Sequence, residues 1–422
     1  MKTTRRLLPV LLLAALTWTA SGQTVNPPPS RPQPGGPGQY SIAQATSDRA
    51  QLNTIAFDGL AFLTGEFCCD TFLPPGKVSD FFGFQYLRDV DAGGLGHNTD
   101  FLTRIANNTL RILNDDQKAQ LVALGRSQAD PIRELALKRL PLIQAFRRNL
   151  AGDRPAGSPG LDRPAVMKYT AGIFESGADL AYQRAGVAGQ IARSLTDAQK
   201  ADFARLKFGD SRTWTDGPEG FDKRTVPHPV HVAMMTYASE FFSWYAGSVE
   251  ADTYFCPEGH GTYFGSFYLK DAPAVHQPNY SISTSLTGDH GADFLALLDP
   301  AQRGQITALV DLQRADLQDI VATRRAIATE LRRFLTGDTA DRDKVMTLAR
   351  HYGELDGELS YFYATHFAEV NKTLTPDQRA ALAKLRGLDG YTCQGAFIYA
   401  DPVAAPEIPN TDFLFASGDG HP

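Results

Sequence analysis

Apolar residues recur at helical spacing through most of this chain. Ile132, Leu135, Leu142, Phe146 and Leu150 fall at helical spacing, and so do Leu317, Ile320, Ile327, Leu331 and Phe334. The stretch after the first carries Val166, Tyr169, Ile173, Leu180 and Val187; its later counterpart carries Val345, Leu348, Tyr352, Leu355 and Leu359. Earlier apolar helices are predicted over Asp48–Phe67 and Val230–Val249. There is no alternating β-branched run and no Asn-Gly hairpin signal. The pattern predicts an all-α fold.

These stretches come in pairs because the chain repeats itself. Asp70-Thr71-Phe72, Pro75, Phe82-Gly83 and Tyr86-Leu87-Arg88-Asp89 return as Asp252-Thr253-Tyr254, Pro257, Phe264-Gly265 and Tyr268-Leu269-Lys270-Asp271, a constant offset from Asp70 to Asp252. An internal repeat of this length predicts two homologous helical-hairpin domains in tandem, related by pseudo-twofold symmetry, each with a long aromatic- and Gly-rich loop. Such a chain imitates a homodimer. The expected divisions are a signal peptide at 1–22, a Pro/Gly-rich linker at 23–42, helical repeat one at 43–215, a joint at 216–229, helical repeat two at 230–402 and a loose C-terminal tail at 403–422.

The leader reads from Lys2, Arg5 and Arg6, an apolar run from Leu7 to Trp18, and Ala20-Ser21-Gly22 as the cleavage site. It predicts a periplasmic or secreted protein. Nothing later is apolar enough to span a membrane. The chain has 41 Lys and Arg against 47 Asp and Glu; removing the three leader cations leaves 38 against 47. That acidic balance argues against nucleic acid as a partner. Four cysteines permit one or two bridges. Cys256 and Cys393 fall at repeat positions held by Pro74 and Trp214 in the first half, and a Cys256–Cys393 disulfide is expected if those positions touch. The adjacent Cys68 and Cys69 read as a vicinal disulfide or free thiols, and open a thiol-redox reading.

One short motif occurs four times: Leu113-Asn-Asp-Asp-Gln117, Leu195-Thr-Asp-Ala-Gln199, Leu298-Asp-Pro-Ala-Gln302 and Leu374-Thr-Pro-Asp-Gln378. Asn114, Thr196, Asp299 and Thr375 are N-cap residues; Gln117, Gln199, Gln302 and Gln378 stand at N3, where each reaches back to the N-cap amide. Pro300 and Pro376 take N1, where a missing amide costs nothing. Two such motifs per half, flanking a helical hairpin, resemble the Spy/CpxP-like family of periplasmic proteins, which carry two LTxxQ motifs per chain. The resemblance covers Leu113–Leu206 and Leu298–Leu385. Two motifs match in full, while those at Leu113 and Leu298 have Asn and Asp in place of Thr. It implies a helical cradle, ATP-independent chaperoning of unfolded envelope proteins, or binding of a heavy metal. Arg133, Lys138, Arg139, Arg147 and Arg148, with Arg314, Arg324, Arg325, Arg332 and Arg333, are the basic residues such a cradle would present or solvate.

Arg139 and Arg324 fall at matched positions inside apolar stripes. A buried guanidinium needs an anion. The next helix offers Glu175 and Asp179 in one half, and Glu354 and Glu358 in the other, each pair at i,i+4 on one face. Internal ion pairs of Arg139 with Glu175 or Asp179, and of Arg324 with Glu354 or Glu358, are therefore expected. The competing reading makes His351, Glu354 and Glu358 ligands of a transition metal ion, the candidate cofactor. No GxSxG, HExxH, P-loop or CxxCH motif is present. The chain thus reads as an exported, non-enzymatic binding protein, with a metal-binding or thiol-redox protein as alternatives.

Overall fold

The computed structural model describes residues 46–65, 100–206, 214, 220–246, 290–385, 396–398, 401–403 and 407–418. The expected leader, linker, aromatic loops, Cys68, Cys69, Cys256 and Cys393 lie outside the described residues.

The described chain is mostly helical. In order it forms α1 (Asp48–Thr64), α2 (Asp100–Ile112), α3 (Asp115–Leu137), α4 (Leu140–Ala151), α5 (Arg163–Ser194), α6 (Asp197–Arg205), α7 (His228–Ala246), α8 (His290–Leu297), α9 (Pro300–Leu312), α10 (Arg314–Leu331), α11 (Arg333–Thr336), α12 (Arg342–Thr373) and α13 (Pro376–Leu385). One antiparallel ladder departs from the all-α expectation: β1 (Ala396–Ile398) pairs with β2 (Asp401–Val403). The apolar stretch from Ile132 to Leu150 is broken at Lys138–Arg139 into α3 and α4. Pro141 causes the break, because it has no amide to give to Leu137 and its ring crowds that carbonyl. α4 ends at Gly152, whose φ of 77° suits a residue without Cβ.

The two 32-residue helices α5 and α12 form the centre of the molecule. They run antiparallel, since Arg163 at the start of α5 meets Glu358, and Arg342 at the start of α12 meets Asp179. Two glycines let them approach. A Cβ on Gly353 would lie 2.7 Å from the Ala171 Cα, and one on Gly357 would lie 2.9 Å from the Met167 Cα. Phe174 packs edge-on against Tyr352 beside this crossing, with centroids 4.5 Å apart.

The first helix of each half lies on the other half. α1 packs against α8, α9, α12 and α13, whereas α7 packs against α2, α3, α5 and α6. Two apolar clusters result. The larger joins Ile55, Leu60 and Phe62 of α1 with Phe294, Ile306, Leu309, Leu359 and Phe367 from the C-terminal half. The smaller joins Met234, Tyr237, Phe241 and Phe242 of α7 with Ile105, Leu110, Leu121 and Phe203. The larger cluster also takes in Leu142, Phe146, Ile173 and Phe174 of the N-terminal half and Trp244 of α7. Burying each such side chain contributes about 1.5–3 kcal/mol, so α1 and α7 each add to a core formed with helices distant in sequence.

The C-terminal segment is not loose over 407–418. Leu414 and Phe415 are buried against the N-terminal half, the Asp162 amide donates to the Leu414 carbonyl at 2.8 Å, and Arg148 pairs with Asp412 at 2.8 Å. Pro409, Asp412 and Gly418 favour a loose segment, but the burial of Leu414 and Phe415 outweighs them. No helix among the described residues is long and apolar enough to cross a membrane.

Candidate functional site

All four capping motifs form the reciprocal pair. The side chain of Asn114 accepts from the Gln117 amide and Gln117 Oε1 from the Asn114 amide, both at 2.9 Å. Thr196 with Gln199, Asp299 with Gln302, and Thr375 with Gln378 do the same. The glutamines then do something the motif alone does not announce. Gln199 Nε2 donates to Gln117 Oε1 at 2.7 Å and to the Ile112 carbonyl at 2.8 Å, while Gln117 Nε2 reaches Ser194 Oγ at 3.0 Å. Gln378 Nε2 donates to Gln302 Oε1 at 2.7 Å and to the Leu297 carbonyl at 3.0 Å, while Gln302 Nε2 reaches the Thr373 carbonyl at 3.0 Å. Each half is therefore closed by a side-chain clasp that locks its two helix starts together.

A second polar centre lies deeper. Arg184 of α5 pairs with Glu240 of α7 at 3.1 Å, both buried. Its guanidinium sits 5.5 Å over the Tyr237 ring, and the Tyr237 hydroxyl donates to Gln128 Oε1 at 2.8 Å. Burial pushes the Tyr237 phenol well above its ordinary range. In the other half Tyr363 donates to Gln313 Oε1 at 2.5 Å, and Gln313 Nε2 donates to Gln51 of α1 at 2.7 Å. Burial raises the Tyr363 phenol too, and the Asp58 carboxylate adds to it. In these centres α7 supplies Tyr237 and Glu240, and α1 supplies Gln51 and Asp58.

Three of the carboxylates expected beside Arg139 and Arg324 pair with other arginines instead. Arg139 and Arg324 are buried, at 0 % and 2 % exposure. Arg324 bonds to the Tyr352 hydroxyl at 2.9 Å. The carboxylates go elsewhere: Glu175 to Arg350 at 2.7 Å, Asp179 to Arg342 at 2.6 Å, and Glu358 to Arg163. The i,i+4 spacing does put each acid pair on one helix face. That face meets arginines of the opposite long helix, because α5 and α12 cross antiparallel, so the pairs tie half to half.

The structure does not bring His351, Glu354 and Glu358 together as a metal site. His351 Nε2 bonds Asp319 at 2.8 Å, its Nδ1 stands 3.9 Å from Glu354, and Glu358 is held by Arg163. Among the described residues no three His, Cys, Asp or Glu side chains converge on one point as a metal would require. The basic residues expected on a cradle are largely engaged. Arg147 donates to the carbonyls of Phe62 and Gly65 at the end of α1, and Arg332 to that of Trp244 near the end of α7. Such cations cap the negative end of a helix. Arg148 binds Asp153 and Asp412, Arg314 binds Asp48 and Asp311, and Arg333 binds Glu330.

Among the described residues a cleft of about 340 Å³ opens between α3, α5 and α12. Pro131, Leu135, Leu180 and Met346 supply apolar walls; Glu134, Lys138, Glu175, Asp179 and Arg342 supply charge of both signs. Gly172 opens it, since a Cβ there would meet nothing within 4 Å. Lys138 Nζ donates to Ser176 Oγ at 3.1 Å across the α3–α5 gap. Sequence reading missed this cleft, because Gly172 is one of four glycines in α5 and nothing local sets it apart. No family model, curated protein or solved structure matches this chain.

Proposed function

We propose that this chain is an exported, non-enzymatic binding protein that holds segments of unfolded polypeptide, in the manner of an ATP-independent chaperone, with the α3–α5–α12 cleft as its point of capture. The cleft carries the reading. Its volume of about 340 Å³ lies near the low end of the ligand-cleft range, room for one or two side chains. Apolar walls beside Glu134, Lys138, Glu175, Asp179 and Arg342 meet mixed polypeptide chemistry without one specific anchor. The leader at 1–22 supports export.

The scaffold is read as a tandem duplication with a pseudo-twofold axis through the α5–α12 crossing. Four reciprocal observations support it. The Gln117–Gln199 clasp is answered by Gln302–Gln378. Arg163–Glu358 is answered by Arg342–Asp179. Arg147 on Phe62 is answered by Arg332 on Trp244. The exchange of α1 is answered by that of α7. On this reading the chain is a covalent homodimer whose halves swap their first helices.

The test is suppression of aggregation of a thermally unfolding client protein, without ATP, at equimolar chain. Wild type is expected to suppress it and Gly172→Phe, which fills the cleft where the structure leaves space, to lose most of that effect. No suppression by wild type at several-fold excess contradicts the proposal.

A further inference from the structure

The cleft opens at Gly172, and the C-terminal half has His351 at the matching position of its long helix. The rest of the lining recurs in order. On α10, Asp319 answers Glu134, Ile320 answers Leu135, Thr323 answers Lys138 and Asp316 answers Pro131. On α12, Glu354 and Glu358 answer Glu175 and Asp179, and on α5 Arg163 answers Arg342. These residues stand where the correspondence requires: Arg163 binds Glu358 as Arg342 binds Asp179, and His351 bonds Asp319 across the gap between α12 and α10 at 2.8 Å. In the N-terminal half the same gap, between Gly172 and Glu134, is cleft.

We propose that His351 is a plug: its imidazole fills the C-terminal twin of the cleft, so that the chain has one open polypeptide-binding cleft and one closed one. The Gly172/His351 difference is then the determinant of which half takes ligand. The inference rests on the cleft reading above. The twin also differs in charge. Arg163 pairs with Glu358 there, Asp319 and Glu354 flank His351, Asp316 stands where the open cleft has Pro131, and Thr323 takes the place of Lys138. Once opened, it would take a basic segment, where the open cleft takes a mixed one.

The test uses thiol labelling at two matching positions of the full chain, read by mass spectrometry against the parent's own cysteines. Ser176 lines the open cleft, and the residue that answers it, Leu355, is buried. Ser176→Cys is expected to react quickly with a small maleimide and to slow when Gly172→His is added. Leu355→Cys is expected to react slowly and to speed up about tenfold or more with His351→Ala, because access no longer needs local opening of packed helices. An unchanged Leu355→Cys rate after His351→Ala overturns the plug, as does a rate equal to Ser176→Cys while His351 is present. Where Leu355→Cys does not fold, peroxide oxidation of Met167, the counterpart of cleft-lining Met346, gives the same reading in His351→Ala alone: faster oxidation supports the plug and an unchanged rate removes it. A second, salt-sensitive site for a Lys/Leu peptide in His351→Ala supports the charge argument. Labelling that changes as expected while wild type binds no peptide upholds the plug and counts against the polypeptide ligand only.

Discussion

Gln117 and Gln199 stand 82 residues apart, yet their side chains share a 2.7 Å hydrogen bond while each caps its own helix. Removing one orphans buried groups on the other. Gln199→Ala is expected to lower stability by about 2–3 kcal/mol, more than a cap alone. Gln117→Ala with Gln199→Ala should cost less than the two singles added, by about 0.5 kcal/mol or more. Urea unfolding of the three variants measures this; additive singles would show that the clasp is incidental.

The α5–α12 crossing depends on missing side chains in α12. Gly353→Ala forces a Cβ to 2.7 Å from the Ala171 Cα and is expected to cost about 1–3 kcal/mol by overpacking. Gly172→Ala is the control on α5, where the cleft leaves room; it should be neutral or stabilising by about 0.5–1 kcal/mol, from helix propensity. Thermal unfolding of both separates close packing from the general effect of replacing glycine.

Arg184 and Glu240 form a buried pair between a long helix and an exchanged one. Glu240→Ala strands a buried cation, with an expected loss of about 3–5 kcal/mol. Arg184→Met with Glu240→Leu should recover most of that loss. If the double variant is as unstable as the single, the cost lies in packing and the charge argument fails.

Two carboxylates give opposite pH slopes. Burial, with Glu358 nearby, pushes Asp316 up to about 6. Folding then favours the protonated acid, so Asp316 makes stability fall as pH rises from the ordinary carboxylate range towards 6. The Asp341 amide, with Lys344, holds Glu330 down to about 2. Its contribution is present above the ordinary carboxylate range and is lost as pH falls towards 2. Asp316→Asn should raise stability at pH 7 and flatten the slope between pH 4 and 6; Glu330→Gln should lower stability at pH 7 and flatten it below pH 4. Melting temperatures across pH 2–7 test both, and curves parallel to wild type contradict them.

Local structure was legible because it depends on local rules. The capping residues, the apolar stripes and the long α5 and α12 helices follow from spacing and N-cap chemistry. The partners of Glu175, Asp179 and Glu358 were not, because i,i+4 spacing assigns a face to a side chain without saying what that face meets. The antiparallel crossing decided that, and it rests on Gly353 and Gly357, whose signal is an absent side chain. The matched Gln128 and Gln313, and Glu240 with Asp58, stood at corresponding repeat positions and would have marked the buried centres. The exchange of α1 and α7 leaves no local trace, since an apolar helix reads the same on either core.

The packing of α1 on the C-terminal half and of α7 on the N-terminal half is tested directly by cleavage. A protease site placed in the joint at 216–229 lets the intact, folded chain be cut between its halves, each of which carries the helix that completes the other. The two fragments are expected to stay together on size-exclusion chromatography without denaturant, and to separate only as they unfold. Fragments that part under native conditions, each keeping its helix content, would contradict it.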